Sequence, residues 1–184
     1  MGVILILFVL EMSLAMKEKE EEIFERYIRR FKELDLDSHH VMLLVSLLML
    51  HKNDTIDLRE IKLNSKLKKT WLELWDCLDH EKSCKVYDAF YQLKSLDFCN
   101  LEFKDGIKKN PPTSWDSLKW MIERAYFDDD LVDLIDHDEY YERLIHSLLN
   151  GADLPEKEKD KLKVKIDLIE VDFLEKEKFI TQVR

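Results

Sequence analysis

The chain has 184 residues, 46% of them hydrophobic and 37% charged, a length that suits one domain or one domain with a helical appendage. Its three glycines and three prolines are too few for the turns of a sandwich or barrel, and no glycine-rich phosphate loop can be written from them. A net charge of −10 disfavours non-specific attraction to nucleic acid or to an anionic membrane, because both are polyanions.

The charge is uneven. Residues 122–160 carry 13 acidic and 4 basic side chains, whereas residues 55–121 carry 11 acidic and 12 basic. The three cysteines (Cys77, Cys84, Cys99) are an odd number with no CxxC pair, which points to a reducing, cytoplasmic setting rather than a disulfide framework.

Val3 to Leu10 is a run of eight apolar residues. As a helix it spans only about 12 Å against about 30 Å of bilayer hydrocarbon, so no integral membrane span is expected. Three readings of residues 1–15 stay open. They are a signal segment ending at Ser13-Leu14-Ala15 with no basic residue ahead of it, a packed first element, or a translation start at Met12 or Met16.

From Met16 to Leu34 the apolar residues Ile23, Phe24, Tyr27, Ile28, Phe31 and Leu34 recur at helical steps between charged ones, predicting an amphipathic helix. Ser38 is the expected N-cap of the next helix, which is apolar all round from Val41 to Leu50 and so forms the buried centre. Residues 55–61 are expected as a short helix, Leu67–Leu78 as a helix carrying Trp71 and Trp75, and Ser83 as the start of another through Phe90 and Leu96. Phe98 to Phe103 reads as a short extended segment, and Lys108-Lys109-Asn110-Pro111-Pro112 as a loop and subdomain boundary.

Beyond that loop, Thr113 or Ser114 caps a helix expected to run through Leu118, Met121, Ile122 and Ala125, with a Thr113–Asp116 capping box. A helix from Glu139 to Leu149 is expected to stop at Asn150-Gly151, and Pro155 to open the last one. Residues 164–171 also alternate like a strand. The whole predicts a mainly α, compact multi-helix domain with a small winged-helix-like β element near residues 98–110. Its divisions are an apolar segment 1–15, a helical core 16–110 and an acidic helical part 111–184 packed on it.

Few residues suggest chemistry. Cys77, His80 and Cys84 share one helix face with Cys99 farther on, and thiolate and imidazole are zinc ligands. The tight knuckles of a structural zinc site are absent, and free cysteines are commonly buried, so core cysteines are the simpler reading. The window Asp128 to Glu139 lacks the glycine an EF-hand needs at its sixth position, here Asp133, and fits a solvated acidic helix start. Trp71, Trp75, Trp115 and Trp120 suit core packing, with an apolar pocket as the alternative. No cofactor, metal or enzymatic activity is expected.

The order from Val41–Leu50 through residues 55–61, Val86–Asp97 and Phe98–Phe103 to a basic loop resembles a winged helix over residues 40–110. It departs in the 24 residues between Ile61 and Val86, where a compact helix-turn-helix has a turn of about 3–4. The resemblance implies nucleic-acid binding through Arg59, Lys62, Lys66, Lys68 and Lys69, with Lys104, Lys108 and Lys109 in the wing. Such cations position a protein on phosphates without specifying sequence. Two functions follow. The first is a non-catalytic interaction or regulatory protein whose groove or acidic stretch meets a protein partner. The alternative is a winged-helix-like transcriptional regulator.

Overall fold

The computed structural model of the chain describes residues 2–33, 37–78, 85–107 and 110–182. It is mainly α, with eight α-helices and one small two-stranded sheet among those residues. Helix α1 (Gly2–Glu33) begins well before Met16, so the apolar run forms the opening turns of the same helix. Its second half packs. Phe24, Tyr27, Ile28 and Phe31 are buried, whereas residues 11–19 are all exposed.

Helix α2 (Ser38–Lys52) is the centre of the molecule, and every residue from Val41 to Leu50 is buried. The N-cap is Asp37 rather than Ser38. Its carboxylate accepts from the backbone N–H of His40 at 3.0 Å, which an aspartate one residue earlier can reach equally well. The buried hydroxyl of Ser46 donates to the carbonyl of Met42 at 2.7 Å, so the one polar side chain in this apolar stretch is satisfied. The helix ends where Asn53 donates back to the Met49 carbonyl and Asp54 turns left-handed at φ 50°, a conformation short polar residues tolerate.

Residues 55–61 form turns and an extended piece, not the expected helix. Ile61 donates its N–H to the carbonyl of Ala125 at 2.7 Å, and Phe127 donates to that of Leu58 at 2.9 Å. Helix α3 (Ser65–Trp75) follows, capped by the Asn64 side chain, and then α4 (Val86–Gln92), which tightens into a 3-10 turn at Leu93–Ser95. Strand β1 (Cys99–Phe103) falls on the predicted extended segment.

Helix α5 (Trp115–Met121) is shorter than expected, because Ile122 and Ala125 belong to strand β2 (Ile122–Phe127). The three-residue spacing of these two apolar residues suits a helix equally well. The decision belongs to β1, which pairs antiparallel with β2 from Cys99 opposite Phe127 to Phe103 opposite Ile122. The capping box also shifts by one: Ser114 accepts from the Ser117 N–H at 3.1 Å, and the Ser117 hydroxyl takes up the Ser114 N–H at 2.9 Å.

These corrections reorder the winged-helix-like pattern. Its second helix is α3, the segment 58–61 lies along β2, and β2 lies along β1. The β1–β2 connection holds α5 instead of a simple wing. The stretch between α3 and α4 is ten residues, of which 79–84 are outside the described part.

Helices α6 (Asp129–Asp136), α7 (Asp138–Gly151) and α8 (Glu156–Gln182) complete the fold. Gly151 is not a left-handed cap. It is the last helical residue, and Ala152 ends α7 by turning extended at φ −67° and ψ 137°. Pro155 opens α8 by lending its carbonyl to the N–H groups of Glu158 and Lys159. Because β1 and β2 lie either side of residue 110, residues 16–110 and 111–184 share a sheet and one hydrophobic cluster.

Candidate functional site

The basic residues expected to contact phosphates are scattered by the fold. Arg59 turns toward α6, with its Nη2 2.5 Å from Asp133 Oδ1 and 3.8 Å from Asp136 Oδ2, and its Nε 3.9 Å from Asp129. Lys62 lies 3.7 Å from Glu60, and Lys69 3.5 Å from Glu73. Lys66 and Lys68 are exposed on α3 and make no ion pair with a described residue. Lys104 lies at the end of β1, where its N–H bonds the Met121 carbonyl at 3.0 Å. Lys108 and Lys109 fall outside the described residues.

Lys66 and Lys69 line a cleft of about 540 Å³ between the end of α2, α3 and α8, with Ile169 and Phe173 as its apolar part and Glu73 and Asp172 also in its lining. The cleft mixes both charges, so it presents no single-sign field to a phosphate backbone.

The acidic stretch is engaged within the chain. Each of the six aspartates from 128 to 138 faces a cation. Arg30 lies 3.7 Å from Asp128, Arg26 is 2.8 Å from Asp130, Arg59 serves Asp129, Asp133 and Asp136, and Lys52 pairs with Asp138. His51 adds a link through Nε2, 3.1 Å from Asp136 Oδ1, while its Nδ1 lies 3.1 Å from the Ile56 carbonyl. Nearby, Arg143 clasps Glu21 with two bonds of 2.6 and 2.9 Å, and that bond holds the Glu21 carboxyl below its ordinary range. Most of these pairs are exposed and individually weak. Together they tie α6 and α7 to α1, α2 and the 56–61 segment.

The sulfur positions do not form a described metal centre. The Cys77 thiol donates to the Glu73 carbonyl at 3.4 Å, Cys99 is buried in β1, and His80 and Cys84 lie outside the described residues. Among the described residues no group of three His, Cys, Asp or Glu side chains is placed to hold a metal ion. Burial pushes the Cys99 thiol up to about 12 and raises Cys77 as well, so neither is held as a thiolate by its surroundings. The tryptophans divide. Trp71 and Trp75 are buried and stack at 5.5 Å with His39 over Trp75 at 4.3 Å, Trp115 is half-buried, and Trp120 is 65% exposed.

Among the described residues, two apolar stripes face solvent. On α1 they are Met12, Leu14 and Met16; the first and last line a cleft of about 620 Å³ against Glu20, His137 and Tyr140. On α8 they are Val164, Leu168 and Val171, exposed by 60, 58 and 51%. Steps of four and three residues place this α8 stripe along one side of the helix. The opposite side carries Leu162, Ile166 and Ile169, which are buried against the body. The strand-like alternation of residues 164–171 comes from these two stripes interleaving in the sequence, and that alternation was the available signal for a two-faced helix.

No helix in the described residues is long and apolar enough to cross a membrane. A scan against protein-family models and a search of curated proteins match nothing to this chain.

Proposed function

We propose that the chain is a non-catalytic protein-interaction domain whose principal contact surface is the solvent-facing stripe of α8, with exposed Met12, Leu14 and Met16 of α1 as a second contact. The observation that carries this reading is the double-sided α8: one apolar stripe is used by the body, and Val164, Leu168 and Val171 are left for something else. A single exposed apolar side chain needs no explanation, but three at helical spacing make a ready-made groove-filling face. The acidic stretch supports the domain rather than the contact, since its aspartates from 128 to 138 already face intrachain cations. The test is co-purification of the tagged chain with cellular proteins, compared with Leu168→Lys/Val171→Lys and Met12→Lys/Met16→Lys variants. Loss of the same partner from the α8 variant is the expected result; an unchanged set of partners overturns the reading.

A second reading is favoured by one observation, the winged-helix-like order in which residues 58–61 and β1 flank β2, with Lys66 and Lys68 exposed at the start of its second helix. It places nucleic acid against α3 and α4. Binding of a duplex that weakens steeply with salt and is lost in Lys66→Glu/Lys68→Glu supports it, and salt-independent or absent binding removes it.

A further inference from the structure

We infer that His51 is a proton-operated switch at the end of α2, its Nδ1 atom exchanging the Ile56 carbonyl for the Leu58 N–H when the ring loses a proton. The side chain is nearly covered, 11% exposed, and both ring nitrogens are engaged. Nε2 lies 3.1 Å from Asp136 Oδ1, whereas Nδ1 lies 3.1 Å from the Ile56 carbonyl oxygen and 3.4 Å from the Leu58 nitrogen. A carbonyl takes a donor and an N–H takes an acceptor, so Nδ1 serves one of these two groups at a time. Ile56 and Leu58 are both buried. Among the described residues neither that carbonyl nor that N–H has another hydrogen-bond partner.

Asp136 decides which form of the ring goes with which partner. Its carboxylate only accepts, so Nε2 carries hydrogen in either state. In the imidazolium Nδ1 carries hydrogen too and donates to Ile56, leaving the Leu58 N–H without an acceptor. In the neutral ring Nδ1 is bare, accepts from Leu58 and turns a lone pair on the Ile56 carbonyl. A proton thus moves the grip of α2 from one peptide of the 56–58 turn to another, and each state leaves one buried backbone group unpaired. The change reaches the sheet and α6. The Leu58 carbonyl accepts from Phe127 of β2 at 2.9 Å, and the adjoining Arg59 faces Asp129, Asp133 and Asp136.

The charged groups around this contact come from every element packed there. They are Lys52 of α2, whose Nζ bonds the Asp136 carbonyl at 3.3 Å, Asp57, Arg59 and Glu60 of the turn, Asp133 and Asp136 of α6, and Asp138 of α7. Lys19 and Glu20 of α1 share a cleft with Asp136 and His137. Between about pH 5 and 8 imidazole is the side chain that ordinarily changes charge, which leaves His51 and His137 as the titrating groups of this set.

The experiment is residue-resolved NMR of the isotope-labelled full chain from about pH 5 to 8. Ring-nitrogen shifts report where His51 carries hydrogen, and hydrogen exchange reports the protection of the Leu58 amide. Above the midpoint of its own titration His51 is expected to carry hydrogen on Nε2 alone, and below it on both nitrogens. Leu58 protection, corrected for intrinsic exchange, should fall about tenfold over that same titration. His51→Gln should make Leu58 protection indifferent to it. Asp136→Asn, whose amide can also donate to a bare Nε2, admits the other neutral form of the ring, and Leu58 should then be less protected than in the parent at the basic end. His137→Gln should leave the His51 pattern as it is in the parent. Hydrogen on Nδ1 in the neutral parent ring, or Leu58 protection that does not follow the His51 titration, overturns the switch, and both are read on the parent chain whether or not a variant folds.

Discussion

The Tyr141 hydroxyl donates to Glu170 Oε1 at 2.5 Å, fastening α7 to α8 at a half-buried point. Burial raises the Glu170 carboxyl above its ordinary 4.5, although the Tyr141 hydrogen bond pulls the other way. An acid whose folded-state value is raised binds its proton more tightly in the folded chain than in the unfolded one. Its ionised form therefore costs stability, and stability falls as pH rises from about 4.5 through the raised value. Glu170→Gln keeps an oxygen for Tyr141 and removes that cost. Its Tm should exceed that of the parent at neutral pH, and the gap should close toward pH 4.5, in matched thermal melts. An unchanged gap across that range would show that burial of the charge is not what matters at this contact.

Arg59 joins the 56–61 segment to α6 through three aspartates. Its side chain and those of its partners are largely exposed, so the pairs are screened and worth little one by one. Acting on three carboxylates at once, the guanidinium should still contribute about 1 kcal/mol at low salt, or about 2–4 °C in Tm for a chain of this size. Arg59→Ala is expected to lose that amount at low salt and less at high salt. A loss that ignores ionic strength would point to packing of the side-chain stem instead.

Thiol chemistry should follow burial. Cys99 lies in the core with its thiol pushed up to about 12, and Cys77 is half-buried and raised. With iodoacetamide at neutral pH, mass spectrometry of the digest should find Cys99 unmodified in the folded chain and fully modified in denaturant, with Cys77 slow. Rapid labelling of Cys99 in the native chain would contradict the packing of β1.

The tryptophans give a direct optical check of the fold. Trp120 is 65% exposed, whereas Trp71 is fully buried and bonds the His39 carbonyl at 3.3 Å. Iodide should quench one accessible fraction of the fluorescence, and Trp120→Phe should remove most of that fraction with little change in stability. Trp71→Ala should instead cost about 3–5 kcal/mol, because it empties a packed site between α3 and α2.

Much of the architecture is legible in the residues themselves. The unbroken apolar run Val41–Leu50 can only be a buried helix or strand, its length excludes the strand, and α2 is buried along all of it. The stripe Phe24, Tyr27, Ile28, Phe31 and the spacing of Trp71, Leu74 and Trp75 likewise name their own buried faces, because helical period and burial are local properties. What failed were segments whose structure is set by a distant partner. Residues 55–61 and 122–127 carry helical spacing, yet their backbone groups bond one another and β1.

Charge behaves the same way. Composition alone locates the acidity in residues 122–160, and the sequence reads it as a solvated helix start or as a surface for a basic partner. Tertiary structure supplies the missing half by bringing Arg26, Arg30, Lys52 and Arg59 across from residues about 70 to 105 positions away. The sequence thus determined the buried faces of the long helices, since these follow from the order of apolar and polar side chains. Only the assembled fold decided which strand pairs form, which charges cancel and which side of α8 is left open, since each depends on what lies opposite in space.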